Sequence, residues 1–121
     1  MIRAPTIAPL PPERVQAYRS LRIALCAELP LHRRRPDEVQ EPGEVLAQIG
    51  AEDRLAAVFV ALDADGLPRG FASLEGRPGT RWGGALELDF GVAPTARRQG
   101  IGRALLAAAA AWAAERGAWR L

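Results

Sequence analysis

The stretch "RRQGIGRALL", Arg97 to Leu106, places two glycines two residues apart directly after a pair of arginines. It lies where an extended apolar run gives way to an alanine-rich run. When a strand meets a helix through a tight glycine turn, the unpaired amides of the first helical turn point at one spot, and the helix dipole favours anions there. Glycine leaves room for a phosphate and reaches backbone angles that other residues avoid. The stretch therefore predicts a phosphate-binding turn at the start of a helix.

As a bare pattern, the two glycines are also compatible with a tight turn before an ordinary helix. The stretch lacks the third glycine of the dinucleotide-binding pattern, because Leu105 stands at that position, and it lacks the lysine of a nucleotide P-loop. Arg97, Arg98 and Arg103 add positive charge around the turn. These features favour a phosphate site of a different kind from either nucleotide motif.

The residues on both sides of the turn predict a strand and a helix. In the run "ALELDFGV", residues 85–92, apolar residues alternate with others, so Glu87 and Asp89 share one face of a regular strand. After the turn, the high helix propensity of alanine favours a helix over residues 101–116. The apolar stripe predicted for this helix consists of Ile101, Leu105, Ala108 and Trp112.

Upstream, the sequence predicts two helices and a β-hairpin after a short N-terminal run that is compatible with a strand. The first helix is predicted over Glu13 to Glu28 and the second over Glu44 to Ile49. The hairpin is predicted from a strand over Arg54 to Leu62, the turn "DADGLP" and a partner strand over Arg69 to Leu74. The stripe predicted for the first helix consists of Val15, Tyr18, Leu21, Arg22 and Leu25.

Length and composition predict one domain over residues 1–121, because 121 residues of which 49% are hydrophobic can bury one modest core. The single cysteine, Cys26, is expected in the core of the first helix, and nothing in the sequence asks for an oxidising compartment, so a cytoplasmic location is expected. No apolar run approaches the roughly 20 residues of a membrane-spanning helix. The net charge is only +2 and the arginines are interspersed with acids, which argues against a nucleic-acid partner.

The segment Val92 to Leu121 closely resembles the acetyl-CoA-binding segment of the GCN5-related N-acetyltransferases, the GNAT superfamily. The signature of that segment is Arg or Gln, two residues, Gly, one residue, then Gly or Ala, which Arg97, Gly100 and Gly102 match. The predicted order of a strand, two helices, a hairpin and a strand also fits the family. The resemblance covers nearly the whole chain and implies an α/β (α+β) fold with a mixed sheet and flanking helices.

The resemblance implies that acetyl-CoA is the co-substrate and that it binds at the glycine turn. Backbone amides from Arg98 to Arg103 are expected to hold its pyrophosphate, and the strand end around Phe90 to Val92 is expected to pair with its pantetheine arm. No metal site is expected. The cofactor-binding residues implied are Phe90, Gly91, Val92, Arg97, Arg98, Gln99, Gly100, Ile101, Gly102 and Arg103.

The chemistry of acetyl transfer asks for a proton acceptor. An amine attacks a thioester only as the free base, so a carboxylate commonly takes its proton, directly or through water, while backbone donors stabilise the oxyanion. Glu87 and Asp89 are the best-placed acids and are the candidate catalytic residues. The alternative for each acid is a salt bridge to an arginine on the strand face.

The acceptor predicted by the resemblance is a primary amine of a small molecule. The stretches "LRIALCAELP" and "GFASLEGRP" resemble corresponding stretches of the aminoglycoside 6′-N-acetyltransferases, which makes an aminoglycoside a candidate acceptor. The strand acids here are shifted in register relative to those enzymes. The sequence therefore indicates the type of reaction more closely than it indicates the class of acceptor.

Family members continue past the position of Leu121 with a full fifth strand, another helix and a final hairpin. The last residues, "AWRL", are fewer than the roughly 5 to 6 residues of a typical strand. The expectation is a C-terminally short member: either the chain is a truncated form, or another subunit completes the site by adding strands to the open sheet edge, as in a homodimer. Two other functions remain as alternatives to acetyl transfer. One is a non-catalytic remnant that binds a CoA-type ligand or a partner chain, and the other, on weaker grounds, is a basic nucleic-acid binder.

Overall fold

The computed structural model describes residues 6–28, 41–50, 55–76, 87–97 and 100–115 of the chain. Within these ranges a strand is followed by two helices, three strands and a third helix. The described strands are β1 (Thr6–Pro9), β2 (Leu55–Leu62), β3 (Pro68–Gly76) and β4 (Glu87–Val92), and the described helices are α1 (Val15–Glu28), α2 (Pro42–Gly50) and α3 (Ile101–Glu115).

The four described strands form one sheet in the order β1-β2-β3-β4, and each neighbouring pair is antiparallel. The turn between β2 and β3 is organised by the carboxylate of Asp63, which accepts hydrogen bonds from the amides of Asp65 at 2.9 Å and Leu67 at 3.0 Å. In the β3–β4 pair, Ser73 lies opposite Asp89. The register therefore brings the middle of β3 beside the strand that precedes the glycine turn.

The helices cover the two faces of the sheet. On one face, Val60 and Phe71 pack with Tyr18 and Leu25 of α1, and Val45 of α2 joins the same cluster. On the other face, α3 packs against residues that alternate with these along the strands, as the period of a β-strand requires. The buried residues of this second cluster are Ala57, Ala61, Ala72, Leu74, Ala93, Ala96, Ile101, Leu105, Ala109 and Ala113.

Gly91 is a point of close approach between α1 and β4. A Cβ atom at this position would lie 2.8 Å from Cδ1 of Leu25 and 3.2 Å from Cε1 of Phe71. Real Cβ atoms do not sit at the first of these distances, so the absence of a side chain sets the spacing between α1 and β4. The glycine therefore has a packing role in addition to any role in ligand binding.

The order and type of the elements confirm the sequence-based prediction, while several boundaries differ. Residues Pro12–Arg14 form a 3₁₀ turn, and the α-helix begins only at Val15. The second helix begins at Pro42 rather than at Glu44, because proline is well tolerated in the first turn of a helix. Strand β3 extends past the predicted range at both ends.

The predicted stripe of α3 was partly wrong. Ile101 and Leu105 are buried as expected, but the stripe continues through Ala109 and Ala113, whereas Ala108 and Trp112 are only half-buried. A run of alanines offers no contrast in size or polarity, so the sequence does not indicate which alanines face the sheet. The last residues, Ala118 to Leu121, which are fewer than those of a typical strand, lie outside the described residues.

The prediction for Cys26 is confirmed, because this side chain is buried on α1 with 7% of its surface exposed. None of the helices in the described ranges is long and apolar enough to cross a lipid bilayer.

Candidate functional site

The predicted phosphate turn joins β4 to α3. The hydrogen-bond ladder of α3 opens with the amide of Ala104, which donates to the carbonyl oxygen of Gly100 at 3.1 Å. The N–H groups of Ile101, Gly102 and Arg103 come before that bond, so they have no partner within the helix itself. Together with the positive end of the helix dipole, these amides make the N-terminus of α3 a favourable position for an anion.

Both signature glycines leave space in front of this helix end. Gly100 has a φ of +74°, which L side chains rarely adopt, and a Cβ there would meet no atom of the described residues within 4 Å. Among the same residues, a Cβ at Gly102 would approach only Cγ2 of Val92, at 3.9 Å. The open space and the amides beside it fit a bound phosphate group, which is what the pyrophosphate of acetyl-CoA requires.

The arginines of the turn have different surroundings. Nε of Arg97 donates to the carbonyl oxygen of Val92 at 3.1 Å, so this side chain reaches back to the end of β4. Arg103 is exposed on the first turn of α3, where its charge can attract an anion. Arg98 and Gln99, which the sequence assigns to the same site, lie outside the described residues.

The edge of β4 that faces away from β3 pairs with no other described strand. The amide of Ala93 donates to the carbonyl oxygen of Arg69 at 2.8 Å. Because peptide groups alternate along an antiparallel ladder, those of Phe90 and Val92 then point away from β3. Phe90 is also 44% exposed. This edge offers the N–H groups of Phe90 and Val92 and the carbonyl oxygen of Phe90 to an extended ligand that carries amide groups, while the carbonyl oxygen of Val92 accepts the bond from Arg97.

Glu87 and Asp89 lie on the face of β4 that α1 covers, while Val92 packs towards α3. Glu87 is exposed, and the side chain of Asp89 keeps 23% of its surface exposed. The phosphate turn leads into α3 on the opposite face. Strand β4 therefore separates two features, an amide-lined helix end on one face and a pair of carboxylates on the other.

Asp89 forms an ion pair with Arg22 of α1. Nη2 of Arg22 donates to Oδ2 of Asp89, and Nη1 donates to the hydroxyl oxygen of Tyr18 at 2.9 Å. The guanidinium carbon lies 4.7 Å from the centroid of the Phe71 ring, within the range of a cation–π contact. A salt bridge to an arginine was the alternative to a catalytic role for each strand acid, and this salt bridge is observed for Asp89.

Tyr18 completes this cluster beneath α1. Burial raises the pKa of the Tyr18 phenol above its ordinary value of 10.0, while the neighbouring Arg22 guanidinium opposes the rise. A hydrogen bond with Ser73 of β3 acts in the same direction as Arg22. With 1% of its surface exposed, Tyr18 is a protonated interior partner of Arg22 at neutral pH.

Sequence reasoning missed the role of Arg22, although it placed this residue in the apolar stripe of the first helix. A signal was available, because a charged residue at a core position requires a partner or a ligand. The partner itself was not identifiable, since Asp89 follows Arg22 by 67 residues.

A cavity of about 600 Å³ lies elsewhere in the fold, between β2, the second half of α3 and the end of α2. Its lining includes Ile49, Phe59 and Trp112 and shares no residue with the glycine turn or the acids of β4. The cavity therefore does not define the candidate site.

Known proteins resemble the chain in both sequence and structure. The acetyltransferase (GNAT) family model matches residues 20–121. A streptothricin acetyltransferase of Streptomyces lavendulae is 41% identical over 96 residues, which are 78% of this chain and 48% of that protein. An aminoglycoside N(6′)-acetyltransferase type 1 of Klebsiella aerogenes is 44% identical over 72 residues, which are 56% of this chain and 47% of that protein. The chain spans about half the length of these curated relatives.

The fold has counterparts among solved structures. A GCN5-related N-acetyltransferase from Kribbella flavida superposes with a TM-score of 0.74 at 21% identity, over 93% of this chain and 67% of that chain. At this identity the likeness concerns the fold alone. The family-model match includes α1 from Ser20 onward, the whole hairpin, β4 and the glycine turn. Since it covers most of the chain, the chain belongs to the acetyltransferase (GNAT) family.

Proposed function

We propose that the chain is an N-acetyltransferase that transfers the acetyl group of acetyl-CoA to a primary amine of a small molecule. The observation that carries this proposal is the arrangement around β4, with an open, amide-lined helix end on the α3 side and carboxylates on the α1 side. The names of the two curated relatives, which act on streptothricin and an aminoglycoside, support a small polycationic acceptor.

The cofactor side of the proposal uses backbone groups. The amides of Ile101, Gly102 and Arg103 would hold the pyrophosphate, together with residues 98 to 100 of the turn, and the outward peptide groups of β4 from Phe90 to Val92 would pair with the pantetheine arm. Bound acetyl-CoA supplies an acetyl thioester, an acyl group ready for attack by an amine. The chain contributes position and backbone donors, which account for a large share of the acceleration of such reactions.

The acceptor side uses the carboxylates of the α1 face. The amine nitrogen attacks the thioester carbonyl carbon, an N–C bond forms, the C–S bond breaks, and the thiolate takes a proton from solvent. We assign the proton released by the amine to Glu87, directly or through water, because this carboxylate is exposed on the acceptor face. Asp89, which already accepts a hydrogen bond from Arg22, lies on the same face beside the incoming amine.

The cofactor seat can be tested with two matched glycines. Gly102 and Gly43 are each the second residue of a helix, and neither position holds an atom that would clash with a Cβ. Calorimetry with acetyl-CoA should show an affinity at least roughly 10-fold lower for Gly102→Val, because a side chain obstructs the amide seat. Gly43→Val should bind like the unsubstituted chain.

Arg103→Ala should weaken acetyl-CoA binding less than Gly102→Val does, because an exposed charge mainly steers the ligand and is screened by salt. Equal losses in Gly102→Val and Gly43→Val, or no loss in either, would contradict an amide seat. Thiol release with a panel of aminoglycosides, streptothricin and simple amines then tests the transfer itself. Binding without release for every amine would favour the non-catalytic alternative.

A further inference from the structure

Arg22 is the one charged side chain that is buried among the described residues, with 6% of its surface exposed. It contacts three elements at once, since it bonds Tyr18 within α1, bonds Asp89 on β4 and lies over the ring of Phe71 on β3. The guanidinium therefore lies between α1 and the two strands that carry the acceptor face.

Stability alone does not explain an arginine at this position. Removing two charges from water is costly, and well-packed apolar residues often replace a buried ion pair without loss of stability. A role in orienting neighbouring side chains explains a buried arginine better than a contribution to stability does. The planar guanidinium can hold a carboxylate, a phenol and an aromatic ring in fixed relation, which a lysine ammonium cannot do.

The two members of the ion pair differ in access. The side chain of Arg22 is 7% exposed, whereas that of Asp89 is 23% exposed. A substrate amine can therefore reach the carboxylate but not the guanidinium. Any influence of Arg22 on the reaction must act through Asp89 and through the spacing of α1 and β4.

We propose that Arg22 is a positioning residue of the transfer site, which fixes the Asp89 carboxylate on the acceptor face of β4 and thereby orients the amine for attack. This inference rests on the proposed function. It predicts that loss of the guanidinium impairs use of the amine while leaving the acetyl-CoA seat intact, because that seat is built from the turn before α3 on the other face of β4.

The test compares Arg22→Met with Arg69→Met. Both substitutions remove an arginine from an Arg–Asp ion pair, but Nε of Arg69 donates to Asp63 at 2.8 Å in the hairpin turn, on a side chain that is 44% exposed. For Arg22→Met we expect kcat/KM for the amine to fall by roughly 10- to 100-fold, with the Kd for acetyl-CoA within about 2-fold of the unsubstituted chain. Arg69→Met should change neither quantity by more than about 2-fold.

Three further variants extend the test, and two of them, Asp89→Asn and Arg22→Lys, do not depend on whether Arg22→Met folds. Asp89→Asn should reproduce the loss in kcat/KM for the amine, and the double variant should be no worse than the poorer single variant, because both changes break the same link. Arg22→Lys keeps the charge without the planar fork and should give an intermediate loss.

A spectroscopic reading of the cluster does not require activity. Arg22 opposes the burial-driven rise in the pKa of Tyr18, so Arg22→Met should move the tyrosinate absorbance midpoint of the folded protein further upward. An unchanged midpoint would show that the cluster does not form in solution and would overturn the inference.

The remaining outcomes separate this inference from the proposed function. An active chain whose kcat/KM for the amine survives Arg22→Met, or whose acetyl-CoA affinity falls in parallel, overturns the positioning role alone. A chain that turns over no amine of the panel overturns the proposed function and the positioning role together.

Discussion

Tyr18 is the single tyrosine of the chain, so its ionisation can be followed by absorbance without ambiguity. Burial holds the pKa of its phenol above 10.0 in the folded state, although Arg22 opposes the rise. The surroundings of the Tyr18 side chain thus determine the pH at which the phenol between α1 and the sheet becomes a phenolate. The protonated phenol contributes stability that is fully present below pH 10 and is lost as the pH rises through the folded-state pKa.

We therefore expect an alkaline titration of the folded protein to show a tyrosinate midpoint above 10.0, and the same titration in denaturant to show a midpoint near that value. Tyr18→Phe removes the titrating group, so its free energy of unfolding should fall less steeply with pH above 10. Coincident midpoints in the folded and unfolded states would contradict a buried phenol.

At the scale of an element, the packing of α1 on β4 depends on Gly91. A methyl group there would meet Leu25 and the Phe71 ring at 2.8 and 3.2 Å. Gly91→Ala should therefore lower the free energy of unfolding by about 1–3 kcal/mol, as overpacking of a core does. Chemical denaturation measures this directly.

A matched control and a double variant sharpen that prediction. Gly43→Ala adds the same methyl group to α2, where no atom of the part of the chain that the structure describes lies within 4 Å of it, and alanine is the better helix former, so stability should not fall. In a Leu25→Ala background, Gly91→Ala should cost less than in the unsubstituted chain, because the closest clash has been removed. Strict additivity would show that the two residues do not meet.

The β2–β3 hairpin depends on Asp63 in a similar way. Hydrogen bonds from the amide of Leu67 and the side chain of Arg69 hold the pKa of Asp63 below its ordinary value of 3.8. A lowered folded-state pKa means that this stabilisation is present above pH 3.8 and is lost as the pH falls through the folded-state value.

Asp63→Ala should lower the free energy of unfolding at neutral pH by about 1 kcal/mol, because the amides of the turn lose their acceptor. Its melting temperature should also depend less on pH in the acid range than that of the unsubstituted chain. Asp65→Ala, an exposed change in the same turn, is the control and should behave like the unsubstituted chain. Identical acid profiles for all three proteins would count against the turn network.

At the scale of the whole molecule, the edge of β4 is the surface where binding events would compete. Among the described strands, β4 pairs only with β3, and Phe90 exposes an aromatic ring beside the outward peptide groups. An unpaired strand edge is a template for another strand. A homodimer formed through this edge would use the same backbone groups that we propose for the pantetheine arm.

If the β4 edge serves both dimer formation and cofactor binding, sedimentation should show self-association that acetyl-CoA weakens. Phe90→Lys should also weaken the self-association, since a charged lysine discourages pairing at a strand edge. A monomer at every concentration would remove the dimer. Self-association that acetyl-CoA leaves unchanged would place the dimer contact elsewhere.

That residues 1–121 form one domain and that the protein is cytoplasmic also stay predictions.

Local sequence patterns were sufficient for the order of the elements and for the glycine turn. Alternation in "ALELDFGV" and the helical spacing in "YRSLRIAL" are properties of a few consecutive residues, because each reflects the period of one element. The positive φ of Gly100 follows from the same local requirement, since a strand must turn sharply into a helix there.

Only the tertiary structure decided what those elements place together. The sequence does not distinguish Ala108 from Ala109, and packing against the sheet buries Ala109. Nor does any local pattern join Arg22 to Asp89, because 67 residues separate them and their contact exists only where α1 crosses β3 and β4. Periodicity determines which face a side chain occupies, whereas the partner across that face depends on how helices and strands pack. For this reason the glycine turn was predictable from the sequence, and the ion pair between Arg22 and Asp89 was not.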